Sequence, residues 1–172
     1  MQIAVVILNY NGRHFLEQFL EGVVRHSNQD TVTVYVADNG STDTSVAYLK
    51  ENHPTVQLVL SDENYGFAGG YNFALKQIEA DYYVLLNSDV EVSANWINPI
   101  IELMESDTSI AACQPKVLAH YDKSLFEHAG GSGGWMDTLG YPFCRGRIFS
   151  KLETDNGQYN DIQEIFWATG AA

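Results

Sequence analysis

Leu85-Leu86-Asn87-Ser88-Asp89-Val90-Glu91 is an apolar strand that runs straight into a short acidic loop. Val34-Tyr35-Val36-Ala37-Asp38-Asn39-Gly40-Ser41 has the same form. A strand delivers its last residues to the edge of a sheet, where a carboxylate can face a ligand. Two such strands in one open sheet fit the rule that ligands bind outside the carboxyl ends of parallel strands. Taken singly, each loop reads equally well as a turn, which Asn, Ser and Asp favour. Two acids at two strand ends favour a ligand, and the chemistry fits a nucleoside diphosphate with a divalent cation such as Mg²⁺ or Mn²⁺. Such a cation takes one or two carboxylates and completes its shell with phosphate oxygens and water.

Working outward, the first half alternates strand and helix patterns. Strands are expected at 3–8, 31–37, 56–60 and 82–86, with a fifth at 110–118. Ile3 to Leu8 is apolar throughout, as expected of a strand buried on both faces. Phe15, Leu16, Phe19, Leu20, Val23 and Val24 recur at helical spacing. A short helix is expected from Ser41 to Glu51, capped by Ser41 or Thr42 with Asp43 in its first turn. Phe67, Tyr71, Leu75 and Ile78 mark a third helix, and Ile97, Ile100, Ile101 and Met104 a fourth, with Pro99 near its start. The alternation predicts an α/β domain with a mostly parallel sheet covered by helices on both faces. After about Ala119 glycines at 130, 131, 133, 134, 140, 146 and 157 predict loops and short antiparallel strands.

Further candidates lie in the connecting loops. Asn9-Tyr10-Asn11-Gly12 follows the first strand and would lie beside the Asp38 loop. It reads as a base contact or as a simple turn. Asn64-Tyr65-Gly66-Phe67-Ala68-Gly69-Gly70-Tyr71-Asn72 opens the third helix. Its glycines admit a ligand close to the backbone and its free N–H groups suit a phosphate, with Asn72 in reach of phosphate or ribose. Close helix–strand packing explains the same glycines. The spacing is not GxGxxG, and there is no Walker lysine motif. His14, His26, His53, His120 and His128 show no ligand spacing. Asp155, Asp161 and Glu164 read as solvated acidic surface.

The bulk numbers bound the partners. The 172 residues suffice for one domain with a real core. Nine basic residues against 22 acidic ones give a net charge of -13, which disfavours nucleic acid. No apolar run approaches a membrane span and no polybasic anchor is present; with a strand expected from Ile3, no signal peptide is expected. Cys113 and Cys144 lack CxxC spacing and read as two reduced thiols.

Taken in order, these motifs resemble the family 2 glycosyltransferases with a GT-A fold, in particular their rhamnosyltransferase-like branch. Val5-Val6-Ile7-Leu8-Asn9-Tyr10-Asn11 is similar to the family's opening motif, and Val36 to Asp43 to its nucleotide-contacting acidic loop. Asn64 to Asn72 is the most specific match. Leu86-Asn87-Ser88-Asp89 stands where the family has its DxD-type motif. Asp155-Asn156-Gly157-Gln158-Tyr159 and Ala168-Thr169-Gly170-Ala171-Ala172 resemble later motifs on the acceptor side.

The resemblance implies a Rossmann-like nucleotide-diphospho-sugar transferase. One domain spans 1–172, with a nucleotide-binding part at 1–118 and an incomplete acceptor-side part at 119–172. It implies donor contacts from Asn9, Tyr10, Asn11, Asp38, Asn39, Asn64, Gly66, Gly69, Asn72, Asn87 and Ser88, and a metal at Asp89. The first DxD position is Asn87, so metal binding rests on Asp89. The donor is expected to be dTDP-rhamnose or a UDP-sugar, and the acceptor a glycan or lipid-linked saccharide, with inversion. A cytoplasmic enzyme, peripheral at the inner face of the cell membrane, is expected. The family's catalytic base lies beyond the Gly-Ala motif, so no base is assigned, and a partial, inactive chain is the expectation. The alternatives are a non-catalytic nucleotide-binding module, a receiver-type signalling domain, whose acidic cluster after the first strand is missing here, and a nucleotidyltransferase.

Overall fold

Ile3 to Ile7 are apolar on both alternations, so this strand must sit inside a sheet with cover on each face. In the computed structural model, which describes residues 1–128 and 131–170, β1 (Ile3–Asn9) is flanked by β2 (Val32–Asn39) and β4 (Tyr82–Asn87). β3 (Gln57–Ser61) pairs with the far side of β2. All three pairings are parallel, and the strand order is β3-β2-β1-β4. Ile3, Val5 and Ile7 on one alternation of β1 are as buried as Ala4 and Val6 on the other.

Helical segments connect the strands, as parallel pairing requires. Arg13–Phe15 (α1), a π-helical turn at Leu16–Leu20 and Glu21–His26 (α2) join β1 to β2. α3 (Ser45–Asn52) joins β2 to β3, and α4 (Gly66–Leu75) joins β3 to β4. Tyr71 and Ala74 of α4, with Ile78 just beyond it, pack on Ala4, Val6, Ala37 and Val59 of the sheet. The Tyr71 hydroxyl donates to the Leu86 carbonyl at 3.0 Å, tying α4 to β4.

The chain divides into two compact units, Met1–Trp96 and the residues from Ile97 onward. The second unit opens with α5 (Asn98–Ser106), with proline at its start as expected. β5 (Leu118–Ala119) pairs with β6 (Asp122–Phe126). β7 (Gly134–Met136), β8 (Pro142–Cys144), β9 (Arg147–Ile148) and β10 (Lys151–Leu152) form an antiparallel sheet in the order β10-β9-β8-β7. The glycine-rich half thus forms the short antiparallel strands its composition predicts. Gly130 and the end of the Ala168–Ala172 motif, Ala171 and Ala172, lie outside the described residues.

Two expectations are corrected. Residues 110–118 are not a fifth strand of the parallel sheet. Pro115 cannot donate to a ladder, and the Val117 backbone bonds elsewhere, its N–H to the Gly131 carbonyl and its carbonyl to the Glu127 N–H. α3 starts at Ser45 rather than Ser41. Ser41 and Thr42 bond to Asn9, Asn11 and Asp38 instead, which holds 41–44 as a loop.

Candidate functional site

The sheet order reverses between β1 and β4: β2 and β3 lie to one side of β1, and β4 to the other. At such a switch point the two flanking loops diverge and leave a crevice at the carboxyl ends of the strands. A cleft of about 340 Å³ opens there, with Leu8 at its floor position on β1 and Asn87, Ser88 and Asp89 from the end of β4. Asn64 and the Gly66 backbone come from the start of α4, and Tyr10, Phe15 and Phe67 supply three aromatic rings. The volume suits a small ligand, and the mix of aromatic wall and few polar groups is that of a ligand pocket.

Of the residues singled out in the sequence, Tyr10, Asn64, Gly66, Asn87, Ser88 and Asp89 meet in this cleft. Asp89 sits in the turn after β4 with its carboxylate exposed. The others do not line the cleft. The last register pair of β1 and β2 is Asn9 opposite Asp38. Asn9 Nδ2 donates to Asp38 Oδ2 at 2.9 Å and to Ser41 Oγ at 3.2 Å. Asp38 Oδ1 accepts from the Ser41 N–H at 2.9 Å. Asp38 is therefore a buried, held carboxylate, with lone-pair capacity left on each oxygen. Asn9 Oδ1 is buried without a protein partner.

Asn11 and Asn39 brace neighbouring loops. Asn11 takes a left-handed φ of 52°, which Asn tolerates. Its Oδ1 accepts from the N–H groups of Thr42 and Asp43 at 2.7 and 3.1 Å. Asn39 Nδ2 donates to Asn64 Oδ1 and the Gly66 carbonyl at 2.9 and 3.1 Å, and its Oδ1 accepts from the Tyr65 N–H at 3.0 Å. These bonds fix the cleft wall to the end of β2. Gly70 lets α4 approach: a Cβ there would lie 2.8 Å from Leu8 Cδ1 and 2.9 Å from Asn39 Nδ2. Gly69 is crowded in the same way by Tyr65 Cβ, at 2.9 Å. Asn72 is exposed on α4 and is not among the residues lining the cleft.

The loop facing Asn11 carries a perturbed acid. Slight burial pushes the Asp43 carboxyl up, but N–H and side-chain hydrogen bonds from Ser45, the Arg13 N–H and the nearby guanidinium outweigh it and hold the group below the usual range.

Phe15 was legible only as helical apolar spacing, and Phe67 as that spacing and as part of the Asn64–Asn72 stretch; both line the cleft. Among the described residues no group of three or more His, Cys, Asp or Glu side chains is placed to hold a metal ion. Asp89 offers one carboxylate, with the neutral oxygens of Asn87 and Ser88 beside it in the cleft. That donor set is too small to cage a cation alone. It fits Mg²⁺ or Mn²⁺, which accept one carboxylate when phosphate oxygens and water fill the remaining positions.

Residues 4–159 match the family model of glycosyl transferase family 2. The chain is 26% identical over 115 residues to a teichoic acid poly(glycerol phosphate) polymerase of Staphylococcus epidermidis, covering 64% of this chain and 16% of that protein. It is 27% identical over 115 residues to the uncharacterized glycosyltransferase YfnE of Bacillus subtilis, covering 66% of this chain and 29% of that protein. The chain thus spans less than a third of the length of either relative. Among solved structures it is similar to the mannosyltransferase PcManGT of Pyrobaculum calidifontis, in complex with GDP-Man and Mn²⁺. The TM-score is 0.60 at 23% identity, over 70% of this chain and 36% of that one. It is also similar to S. aureus TarS 1-349 in complex with UDP, with a TM-score of 0.54 at 21% identity, over 62% and 32%. These likenesses carry the fold.

Proposed function

This chain belongs to glycosyl transferase family 2 and has a GT-A fold, and we propose that its cleft binds the nucleoside diphosphate of a sugar donor. The observation that carries the reading is the position of Asp89, with Asn87 and Ser88, at the β1/β4 switch point beside three aromatic rings. The rings suit a flat base, the α4 N-terminus suits a phosphate, and Asp89 suits a cation shared with that phosphate. Asp38 is the acceptor for a base or ribose donor group, with Asn9 holding it. Asn11, Asn39, Gly69 and Asn72 complete the donor side, the first three by shaping the loops.

The reaction proposed is transfer to a glycan or lipid-linked hydroxyl with inversion. The hydroxyl oxygen attacks the anomeric carbon in line as the bond from that carbon to the diphosphate oxygen breaks. The electron pair leaves on the diphosphate and the hydroxyl proton goes to a general base. Asp89 would hold a divalent cation, which when bound would neutralise charge on the departing diphosphate. Residues 1–118 supply the donor half and 119–172 the acceptor side; no residue described here is assigned as base. Solved neighbours hold UDP in one case and GDP-Man with Mn²⁺ in another, which supports a nucleotide-sugar donor. For this chain dTDP-rhamnose or a UDP-sugar is proposed, used at the inner face of the cell membrane. Peripheral membrane association is part of this proposal; no described helix is long and apolar enough to cross a membrane.

The receiver-type alternative requires the order 2-1-3-4-5, which the observed β3-β2-β1-β4 order contradicts. Calorimetric titration with UDP, dTDP and GDP, each with and without Mn²⁺, tests the donor reading. Metal-strengthened binding of one diphosphate supports it and identifies the base; absence of binding by all three contradicts it.

A further inference from the structure

Gly12 stands at the N-cap of α1, a position that Ser, Thr, Asp and Asn favour. Its φ is -104°, so no left-handed turn calls for glycine there. Space does. A Cβ on Gly12 would lie 2.6 Å from Asn9 Oδ1 and 3.6 Å from Ser88 Oγ. Asn9 cannot yield, because its Nδ2 is held by Asp38 Oδ2 and Ser41 Oγ.

The missing side chain keeps a buried acceptor clear. Asn9 is fully buried, and its Oδ1 has no hydrogen-bond partner among the described residues. The amide cannot turn over. A carboxylate only accepts, so the NH₂ end faces Asp38 and the oxygen faces Gly12 and Ser88. Buried carbonyl oxygens in folded proteins are paired, with protein or with ordered water. Beyond Asn9 and the chain on either side of Gly12, Ser88 Oγ is the atom nearest the point a Gly12 Cβ would take. Asn9 Oδ1 and Ser88 Oγ thus flank one small polar space at the carboxyl ends of β1 and β4.

We propose that one bound water joins Asn9 Oδ1 to the Ser88 hydroxyl, and that Ser88 is thereby a positioning residue for Asp89. The water donates to Oδ1 and makes its second hydrogen bond to Ser88 Oγ. The Asn9 amide then reaches both neighbouring strand ends. Its nitrogen holds Asp38 and Ser41, and its oxygen holds the turn after β4. Asp89 follows Ser88 directly, so the link sets the separation between the acid that ends β2 and the acid after β4. Gly12 serves it by leaving the water room. The inference rests on the proposed donor site, with Asp38 on its base side and Asp89 on its cation side.

The test is a high-resolution crystal structure of the whole chain together with calorimetric titrations. UDP, dTDP and GDP are titrated in Mn²⁺ and in EDTA into the parent, Ser88→Ala, Ser88→Thr, Gly12→Ala and Gly12→Ala/Ser88→Ala. One water within hydrogen-bond distance of both oxygens is expected in the parent and none in Gly12→Ala. Ser88→Ala should lose about threefold or more of the tightening by Mn²⁺, the scale of one hydrogen bond, and keep the parental affinity in EDTA. Ser88→Thr retains the hydroxyl and should restore the tightening. The double variant should lose no more than the larger single loss, since both changes break one link. If Gly12→Ala does not fold, the two Ser88 variants decide. Asn9 Oδ1 packed on Gly12 with no water between it and Ser88 would overturn the proposal. So would additive losses, or a Ser88→Thr variant as impaired as Ser88→Ala. Parental binding with full Mn²⁺ tightening in Ser88→Ala would overturn this inference alone, whereas a parent that binds none of the three diphosphates would overturn the donor reading and the positioning role with it.

Discussion

Asn9 Nδ2 donates to Asp38 Oδ2 at 2.9 Å across the last register pair of β1 and β2, with both residues buried. The bond fixes the acid that ends β2 and ties it to the strand that borders the cleft. A hydrogen bond to an ionised carboxylate contributes about 1.5–3 kcal/mol. Asn9→Ala should lower unfolding stability by about that amount and weaken nucleotide binding. Asn9→Asp should be worse at neutral pH, since two carboxylates would then face each other. Urea denaturation at neutral pH measures both; an Asn9→Asp variant as stable as the parent would contradict the geometry.

Gly70→Ala places a methyl group against Leu8 and Asn39. Leu8 Cδ1 is the free end of a flexible side chain and can move. Asn39 is held by hydrogen bonds to Asn64, Tyr65 and Gly66 and cannot move without releasing the cleft wall. Overpacking of this kind costs about 1–3 kcal/mol. The variant should unfold at lower urea and bind nucleotide more weakly, and a variant with parental affinity would show that the Asn39 brace does not shape the cleft.

The same region shows what spacing alone cannot decide. Phe67 and Tyr71 are one helical turn apart on α4, and their rings meet edge to face at 5.1 Å. Both therefore read as one apolar stripe. Tyr71 is in the core, while Phe67 is 55% exposed at the cleft. Periodicity gives the face of a helix and not how far along its axis the sheet ends. β1 was legible because a strand covered on both faces must be apolar on both alternations, and β2, β3 and β4 as apolar runs, although Leu60 of β3 and Tyr83 and Leu85 of β4 are exposed. The acidic loops were legible because they follow those strands. The fate of 110–118 was not, since its apolar residues suit a buried strand and only the partners of Val117 reveal that its ladder lies elsewhere. The start of α3 was missed because the hydroxyls that look like caps bond across to Asn9 and Asn11.

Burial pushes the Tyr71 hydroxyl up to about 12, above the usual tyrosine value of about 10. A group whose proton is held more tightly in the folded state stabilises below its unfolded pKa and loses that contribution as pH rises toward the folded one. Tyr71→Phe removes the bond to the Leu86 carbonyl and should cost about 1 kcal/mol at neutral pH. The gap between the two proteins should narrow above about pH 10. Denaturation midpoints at pH 7 and in the alkaline range check this; a constant gap would contradict it.

The Lys116 ammonium donates to Asp155 at 2.5 Å and to Asn160 at 2.7 Å. That hydrogen bond, with the Gly157 N–H, holds the Asp155 carboxyl below the usual range. The pairing of Asp155 with Lys116 and of Asp161 with Arg145 replaces the plain solvated surface that the sequence suggested. A lowered pKa stabilises above the unfolded value, and that contribution disappears as pH falls through the folded one. Asp155→Asn should be less stable than the parent at pH 6, and the two should converge under acid. Parallel acid-denaturation curves would contradict the pairing.

The proposed donor site rests on Asp89 holding a divalent cation together with a bound diphosphate. The direct measurement is calorimetric titration of the parent chain and Asp89→Ala with the preferred nucleoside diphosphate, in Mn²⁺ and in EDTA. Mn²⁺ should tighten binding to the parent by about tenfold or more, about 1.4 kcal/mol, and leave Asp89→Ala at its EDTA affinity. Equal tightening by Mn²⁺ in both proteins would show that Asp89 does not hold the cation.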